Sequence, residues 1–303
     1  MSTPAEPRSA ARLPGQGVIH DLGYRHYDGV RLGRGAITRA LFVESAKGAY
    51  GLGRSTRSKV MPLLLLAAIC FPALIIAVIA AVTAADKLPG NYTAYVLNLQ
   101  LVVMVYVAGQ APAGVSRDLR FRVMSLYLSR PLERIDYVVA KYAALTAATF
   151  ALMALPLTIL FVGALLAKLP VSEQVPDYLR SIGGAFLTAL VLAGIGLVIA
   201  AVTPRRGLGV AAIIAVLAVL AGVQGAVQGI ADHENQDTFA GYAGLFSPFT
   251  LVHGVQSSLL GAENQLPEGP PGALGGAVFA AVVVGVVAAC FGALLVRYRR
   301  VSI

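Results

Sequence analysis

Histidine beside carboxylate is the first chemistry to test for in this chain. His20, Asp21, His26 and Asp28 crowd one short segment (HDLGYRHYDG), and His233 is followed by Glu234. These side chains are of the right type for a zinc ion, yet neither group has ligands at a spacing that defines a site. Both segments read as solvated loops, so no metal ligand is assigned. Cys70 and Cys290 each fall inside an apolar run. They read as small buried hydrophobes, with nothing to suggest a disulfide. A phosphate-binding loop needs glycine directly before its lysine, but Lys47, Lys59, Lys87, Lys141 and Lys168 follow Ala, Ser, Asp, Ala and Ala. G-x-S-x-G, H-E-x-x-H and paired aspartates within apolar runs are all missing. No catalytic or cofactor-binding residue is therefore assigned, and the chain is not expected to be an enzyme.

The remaining chemistry is that of a binding surface. Residues 116–141 (SRDLRFRVMSLYLSRPLERIDYVVAK) are polar and basic between two long apolar runs. Their first half predicts a short amphipathic helix with Leu119, Val123, Leu126 and Tyr127 on one face. Asp118, Arg122, Ser125 and Ser129 fall on another, with Asp118 and Arg122 spaced for an i,i+4 ion pair. Arg130-Pro131 should end that helix, and Pro131 suits the first position of the next, which residues 132–141 carry into the following apolar run. A helix lying on a membrane surface and feeding a spanning helix can receive a push from a soluble partner.

Composition dictates the elements that must position this stretch. The chain is 57% hydrophobic and 13% charged, with a mean hydropathy of +0.74. No Asp, Glu, Lys or Arg interrupts residues 60–85, 92–115, 142–167, 181–203, 208–231 and 272–296. Each run has the roughly 20 residues a spanning helix needs. The expected fold is an all-α polytopic membrane protein with six transmembrane helices. If the N-terminus is cytoplasmic, all but three of the 24 Lys and Arg residues lie inside, the exceptions being Lys87, Lys168 and Arg180. Both termini are therefore expected in the cytoplasm, with the chain in the inner (plasma) membrane. The net charge of +9 is spread over membrane-flanking segments. It marks no single basic face for nucleic acid.

Two regions follow, a cytoplasmic N-terminal part (1–59) and a transmembrane domain (60–303). Residues 1–16 are small, polar and Pro-containing, and are expected to be disordered. No signal peptide is expected, since the first apolar run begins near Val60. Ile37, Leu41, Phe42, Ser45 and Gly48 share one broad helical face, with Arg39 and Lys47 away from it. This predicts an amphipathic helix before the first span, lying in the interface or docked on protein. Arg54, Arg57 and Lys59 would meet anionic headgroups, which makes membrane lipid an expected partner. Pro72 and Pro156 should kink their helices. Gly225-x-x-x-Gly229 and Gly194-x-Gly196 permit close packing, and Asn98, Gln100, Gln110, Gln224 and Gln228 either line a solute path or bond between helices. The outer loop, 232–271, contains SPFTLVHGVQSSLLG. Ser247 as cap, Pro248 at the first position and Gly261 beyond the end predict a helix of about three turns with Leu251, Val255 and Leu259 on one face. It is too short to span, so it would be a re-entrant or interfacial helix between spans five and six.

The 116–141 pattern, D-x-R…L-x-L-x-R-P-x-x-R-x-x-Y-x-x-x-K, resembles the cytoplasmic loop between the second and third helices of ABC-2 type transporter permeases. Asp118, Arg120, Leu126, Leu128, Arg130, Pro131, Arg134, Tyr137 and Lys141 carry the likeness. It extends to the helix before span one, the six spans and the outer helical segment. The resemblance implies a pair of permeases, identical or paralogous, on ABC ATP-binding subunits that hold ATP and Mg²⁺. It also implies a coupling loop at 116–141, with Asp118, Leu119, Arg120, Val123, Leu126, Tyr127, Arg130, Pro131 and Arg134 meeting the ATPase. The bias toward Ala, Gly, Val and Arg looks like GC-rich coding, as in actinobacteria. Independently of the resemblance, none of the six runs holds an acid, a base or a histidine, which argues against ion-coupled transport and for energy delivered by another subunit. The expectation is a permease, most simply an exporter. The alternative is a non-transporting component of an ABC-type complex that scaffolds, or transmits force to, an extracytoplasmic partner.

Overall fold

Backbone groups in an apolar membrane interior must be satisfied locally, and helices do this within one segment. The computed structural model describes residues 32–300 apart from 54, 84–89, 122, 124–125, 128, 130, 204, 235–236 and 268, together with Gly29. The 20–28 histidine–aspartate segment, Arg54, Arg122, Leu128 and Arg130 thus lie outside the described residues. The helices belong to the unit Gly33–Ile303. They are α1 (Arg34–Ala49), α2 (Thr56–Thr83), α3 (Tyr92–Asn98), α4 (Gln100–Arg120), α5 (Arg134–Leu166), α6 (Val171–Val202), α7 (Arg206–His233), α8 (Asp237–Ala243), α9 (Pro248–Leu259) and α10 (Gly272–Arg299), with a 3-10 turn at Gly244–Phe246. Among the described residues there is no strand.

Five helices, α2, α5, α6, α7 and α10, are long and apolar enough to cross a membrane, and α3 with α4 makes a sixth if the pair is one bent span. This corrects the expectation of an unbroken second span, because the two helices meet at 58°. No glycine or proline marks the break at Leu99. Its cause is tertiary. Asn91 caps α3 by accepting from the Ala94 N–H at 2.7 Å, and Tyr92 donates to Gln174 at 2.7 Å. The Thr93 and Ser181 hydroxyls meet at 3.1 Å, and the Tyr95 hydroxyl donates to the Ile69 carbonyl. These bonds hold α3 to α6 and α2 and off the axis of α4.

The middle of the bundle is α5 and α6. In their most apolar windows 44% and 61% of residues are buried, against 17%, 11% and 17% for α2, α7 and α10. The central helices approach their neighbours through glycine. A Cβ on Gly163 would lie 2.3 Å from that of Ala77, and one on Gly196 would lie 2.8 Å from Val107. Close packing is likewise realised at Gly194, against Tyr142 and Cys290. Gly225 and Gly229 differ: within the chain they face open space.

The helix expected after Ser247 forms as α9, with Pro248 in its first turn and Gly261 beyond its end at φ +67°. Leu251 and Val255 are buried and Leu259 is exposed, but Phe249, Val252, His253 and Gln256 are buried as well. The helix is enclosed by α6 and α10, a fuller burial than one apolar face requires. His253 is 1% exposed, and its Nε2 accepts from the Gln265 N–H at 2.9 Å. Burial pushes its pKa below the ordinary histidine value, against a smaller opposing effect of Asn264. Above about pH 6.5, the unfolded-state value, both states are neutral and the residue does not favour either. Below it the unfolded chain takes the proton first. Stability should then fall by up to about 1.4 kcal/mol per pH unit until the folded pKa is reached. The check is the unfolding midpoint between pH 7.5 and 5.5, where His253→Gln should lose less than the parent.

Candidate functional site

The end of α4, the connection to α5 and the start of α5 form a platform braced from three sides. Asp118, Leu119 and Arg120, expected in a separate surface helix, instead complete α4. The chain then turns at Phe121 and Val123, is helical at Leu126 and Tyr127, and turns again at Ser129. Pro131 does not open α5, which starts three residues later. There Glu133 and Asp136 form a capping box, each side chain bonding the other's end of the first turn.

The first brace is an ion pair in the half-buried space between α4 and α5. Lys141 Nζ lies 3.0 Å from Asp118 Oδ2, with the two side chains 11% and 18% exposed. Lys141 also donates to the Gly114 carbonyl at 2.9 Å, and the Tyr137 hydroxyl donates to Asp118 at 2.8 Å. Asp118 thus has Lys141 and Tyr137 as partners; Arg122, the partner expected from spacing, lies outside the described residues. The second brace joins α1 to the start of α5, where Arg34 donates to Asp136 at 2.6 and 2.9 Å and also bonds Glu133. Arg34 and Glu133 are largely exposed, though Asp136 is only 16% exposed, so the pairs fix position more than they add stability. The third is aromatic. The Tyr127 ring lies 5.7 Å from that of Tyr137, which lies 5.1 Å from that of Tyr298 near the end of α10. Arg134 adds a hydrogen bond to the Arg299 carbonyl at 3.0 Å.

Between these braces the platform divides its apolar residues. Leu119 and Tyr127 pack on the bundle core, whereas Leu126 and Phe121 are 68% and 67% exposed. Phe121 was missed in reading the sequence, although an aromatic residue between Arg120 and Arg122 is an unusual thing to leave in water. Its ring carries the Arg120 guanidinium 5.6 Å from its centroid. Under the platform, a cavity of about 440 Å³ lies among Leu41 and Glu44 of α1, Gln110 and Asp118 of α4, Val123, and Lys141. On that side α1 is docked: Leu41 and Ala49 are buried, and Tyr50 donates to the Ala148 carbonyl at 2.7 Å.

The glutamines do not converge. Gln110 lines the cavity and points its amide toward Met61 Sδ at 4.0 Å. Gln224 donates to Gln228 one turn on at 2.6 Å, within α7, and Gln100 is half-buried at the start of α4. Cys70 and Cys290 are separate free thiols. Among the described residues no three His, Cys, Asp or Glu side chains gather as metal ligands would. Among the described residues the platform leaves Phe121 and Leu126 exposed, with the Arg120 guanidinium beside the Phe121 ring.

No curated protein matches the chain. Residues 39–303 match the model of the family described as ABC-2 family transporter protein, a span that takes in α1's second half, the braced platform and every spanning helix. With several membrane-crossing helices and this match over most of its length, the chain belongs to the ABC-2 transporter permease family and is a multi-pass membrane protein.

Proposed function

We propose that this chain is the membrane permease of an ATP-driven exporter, and that the α4–α5 connection is the surface through which a separate ATP-binding subunit moves it. The observation that carries this reading is the combination of bracing and exposure. Asp118, Lys141, Tyr137 and Arg34 hold the base of the connection, while Leu126 and Phe121 within it stand unburied. A surface that must transmit force needs both stiffness below and an apolar grip above. In this reading ATP and Mg²⁺ belong to the partner. The platform faces the cytoplasm and both termini share that side, as the arginine distribution favours. The permease works in pairs. Gly222, Gly225 and Gly229 leave open space along α7, room for a second permease to approach closely.

The test is topology and partnership in one membrane preparation. Cysteine introduced at position 130 should react only from the cytoplasm and at position 235 only from outside. Gentle purification should recover an ATP-binding subunit with a permease pair. A reversed labelling pattern, or a stable monomer with no nucleotide-binding partner, sinks the reading.

A further inference from the structure

We propose that the groove between α6 and α10, at the ends where both helices meet arginine, is a binding site for an anionic phospholipid. The groove encloses about 380 Å³ between Val198 and Val202 of α6 and Leu294 and Val296 of α10, with Arg297 and Arg300 at its mouth. Val202 and Val296 are 64% and 50% exposed, so the outer part of the groove is open, while Leu294 at its floor is buried. A channel of valine and leucine that ends in guanidinium groups has two-part chemistry. Its walls suit an acyl chain, and its mouth suits a negatively charged headgroup.

The mouth is held in place. Arg297 Nε donates to the Ala201 carbonyl at 3.1 Å, which anchors the guanidinium at the rim and leaves its two terminal nitrogens for a ligand. Among the described residues no carboxylate pairs with Arg297 or Arg300; the ion pairs belong to Arg34, Lys141 and Arg180. Beyond Val202 the chain runs on to Arg205 and Arg206, which with Arg120 line another open cavity. Among the described residues none of these three is paired with an acid either. Free phosphate would engage the arginines but gain nothing from the walls. A second protein copy would need an apolar ridge ending in acids. A phospholipid meets both demands, and the groove runs between two helices that are long and apolar enough to cross a bilayer. The proposal does not depend on the ATP-coupled reading.

The experiment is native mass spectrometry of the full chain in detergent, titrated with phosphatidylglycerol or with phosphatidylcholine of the same acyl chains. Phosphatidylglycerol should be retained more strongly. Arg300→Gln should weaken that retention about fivefold and Arg297→Gln/Arg300→Gln on the order of 30-fold, while Arg300→Lys restores most of it. Val202→Trp, which fills the groove, should abolish the preference. Arg299→Gln changes charge by the same amount outside the groove and should have no effect. If the Arg297 substitution fails to fold for want of its bond to Ala201, Arg300→Gln and Val202→Trp carry the test. Equal retention of the two lipids, an equal loss with Arg299→Gln, or full retention by Val202→Trp each overturns the proposal. So does displacement by equimolar inorganic phosphate, which would mean an adventitious ion only. Dissociation of a permease pair by Val202→Trp would assign the groove to a second copy instead.

Discussion

Leu126→Glu is expected to leave the bundle folded and inserted while stripping the ATP-binding subunit from it. Leu126 is 68% exposed in the chain by itself, so a polar substitution there disturbs little of the permease's own packing. In the proposed complex the same side chain would be buried. Losing that burial removes about 1.5–3 kcal/mol, roughly a tenfold to hundredfold loss of affinity, before the charge is desolvated. Leu126→Met nearly preserves volume and polarity and should change little. Phe121→Glu, at the other exposed position, should behave like Leu126→Glu. Leu119→Glu should differ in kind, because Leu119 packs on the core; its loss should appear as poor folding. The measurements are the amount of ATPase that co-purifies, the ATP hydrolysed in native membranes and the unfolding midpoint of each variant. If Leu126→Glu keeps a full complement of ATPase and normal hydrolysis, this connection is not where the partner holds on.

What was legible in the sequence, and what was not, divides by whether the determinant is local. Uninterrupted apolar runs announce helices because a single segment satisfies its own backbone in lipid only as a helix. They placed α2, α7 and α10 to within about a turn at each end, but α5 and α6 begin eight and ten residues before their runs. The excess lies where charged turns continue a helix, as Arg134 and Asp136 do for α5 and Glu173 and Asp177 do for α6. Ser247-Pro248 and Gly261 bracketed α9 because start and stop signals are neighbours of the helix they bound, although the Ser247 side chain makes no capping bond. The break at Leu99 was hidden, since its cause lies on other elements: Gln174, Ser181 and the Ile69 carbonyl. The same reason hid the partners of the platform. Asp118 and Lys141 are 23 positions apart, and Arg34 meets Asp136 across 102; no periodicity links such pairs. The apolar stripe of Leu119, Val123, Leu126 and Tyr127 was visible, but its division between core and solvent was not. That division depends on how α4 ends, which is a property of the packed bundle.

Lys141→Met should separate the brace from the grip. The substitution keeps the length of the side chain and removes its charge, leaving the Asp118 carboxylate, among the described residues, with the Tyr137 hydroxyl in a space where it is 18% exposed. Breaking a buried ion pair on one side costs about 3–5 kcal/mol, and the remaining water contact here places the expected loss near the lower end. Asp118→Asn/Lys141→Met should recover most of it. The amide oxygen can accept from Tyr137, its nitrogen can take over the Gly114 carbonyl that Lys141 releases, and no charge is left unpaired. The recovery in stability need not bring recovery in function. Without the ion pair the end of α4 is tied to α5 by weaker neutral bonds, so motion of Leu126 and Phe121 should no longer be passed on with fidelity. The double variant is therefore expected to unfold near the parent's midpoint, to bind the ATP-binding subunit normally and to hydrolyse ATP, yet to transport poorly per ATP consumed. Two results would count against this. An unchanged midpoint for Lys141→Met would mean the pair contributes no stability, and full transport by the double variant would mean the platform transmits force without it.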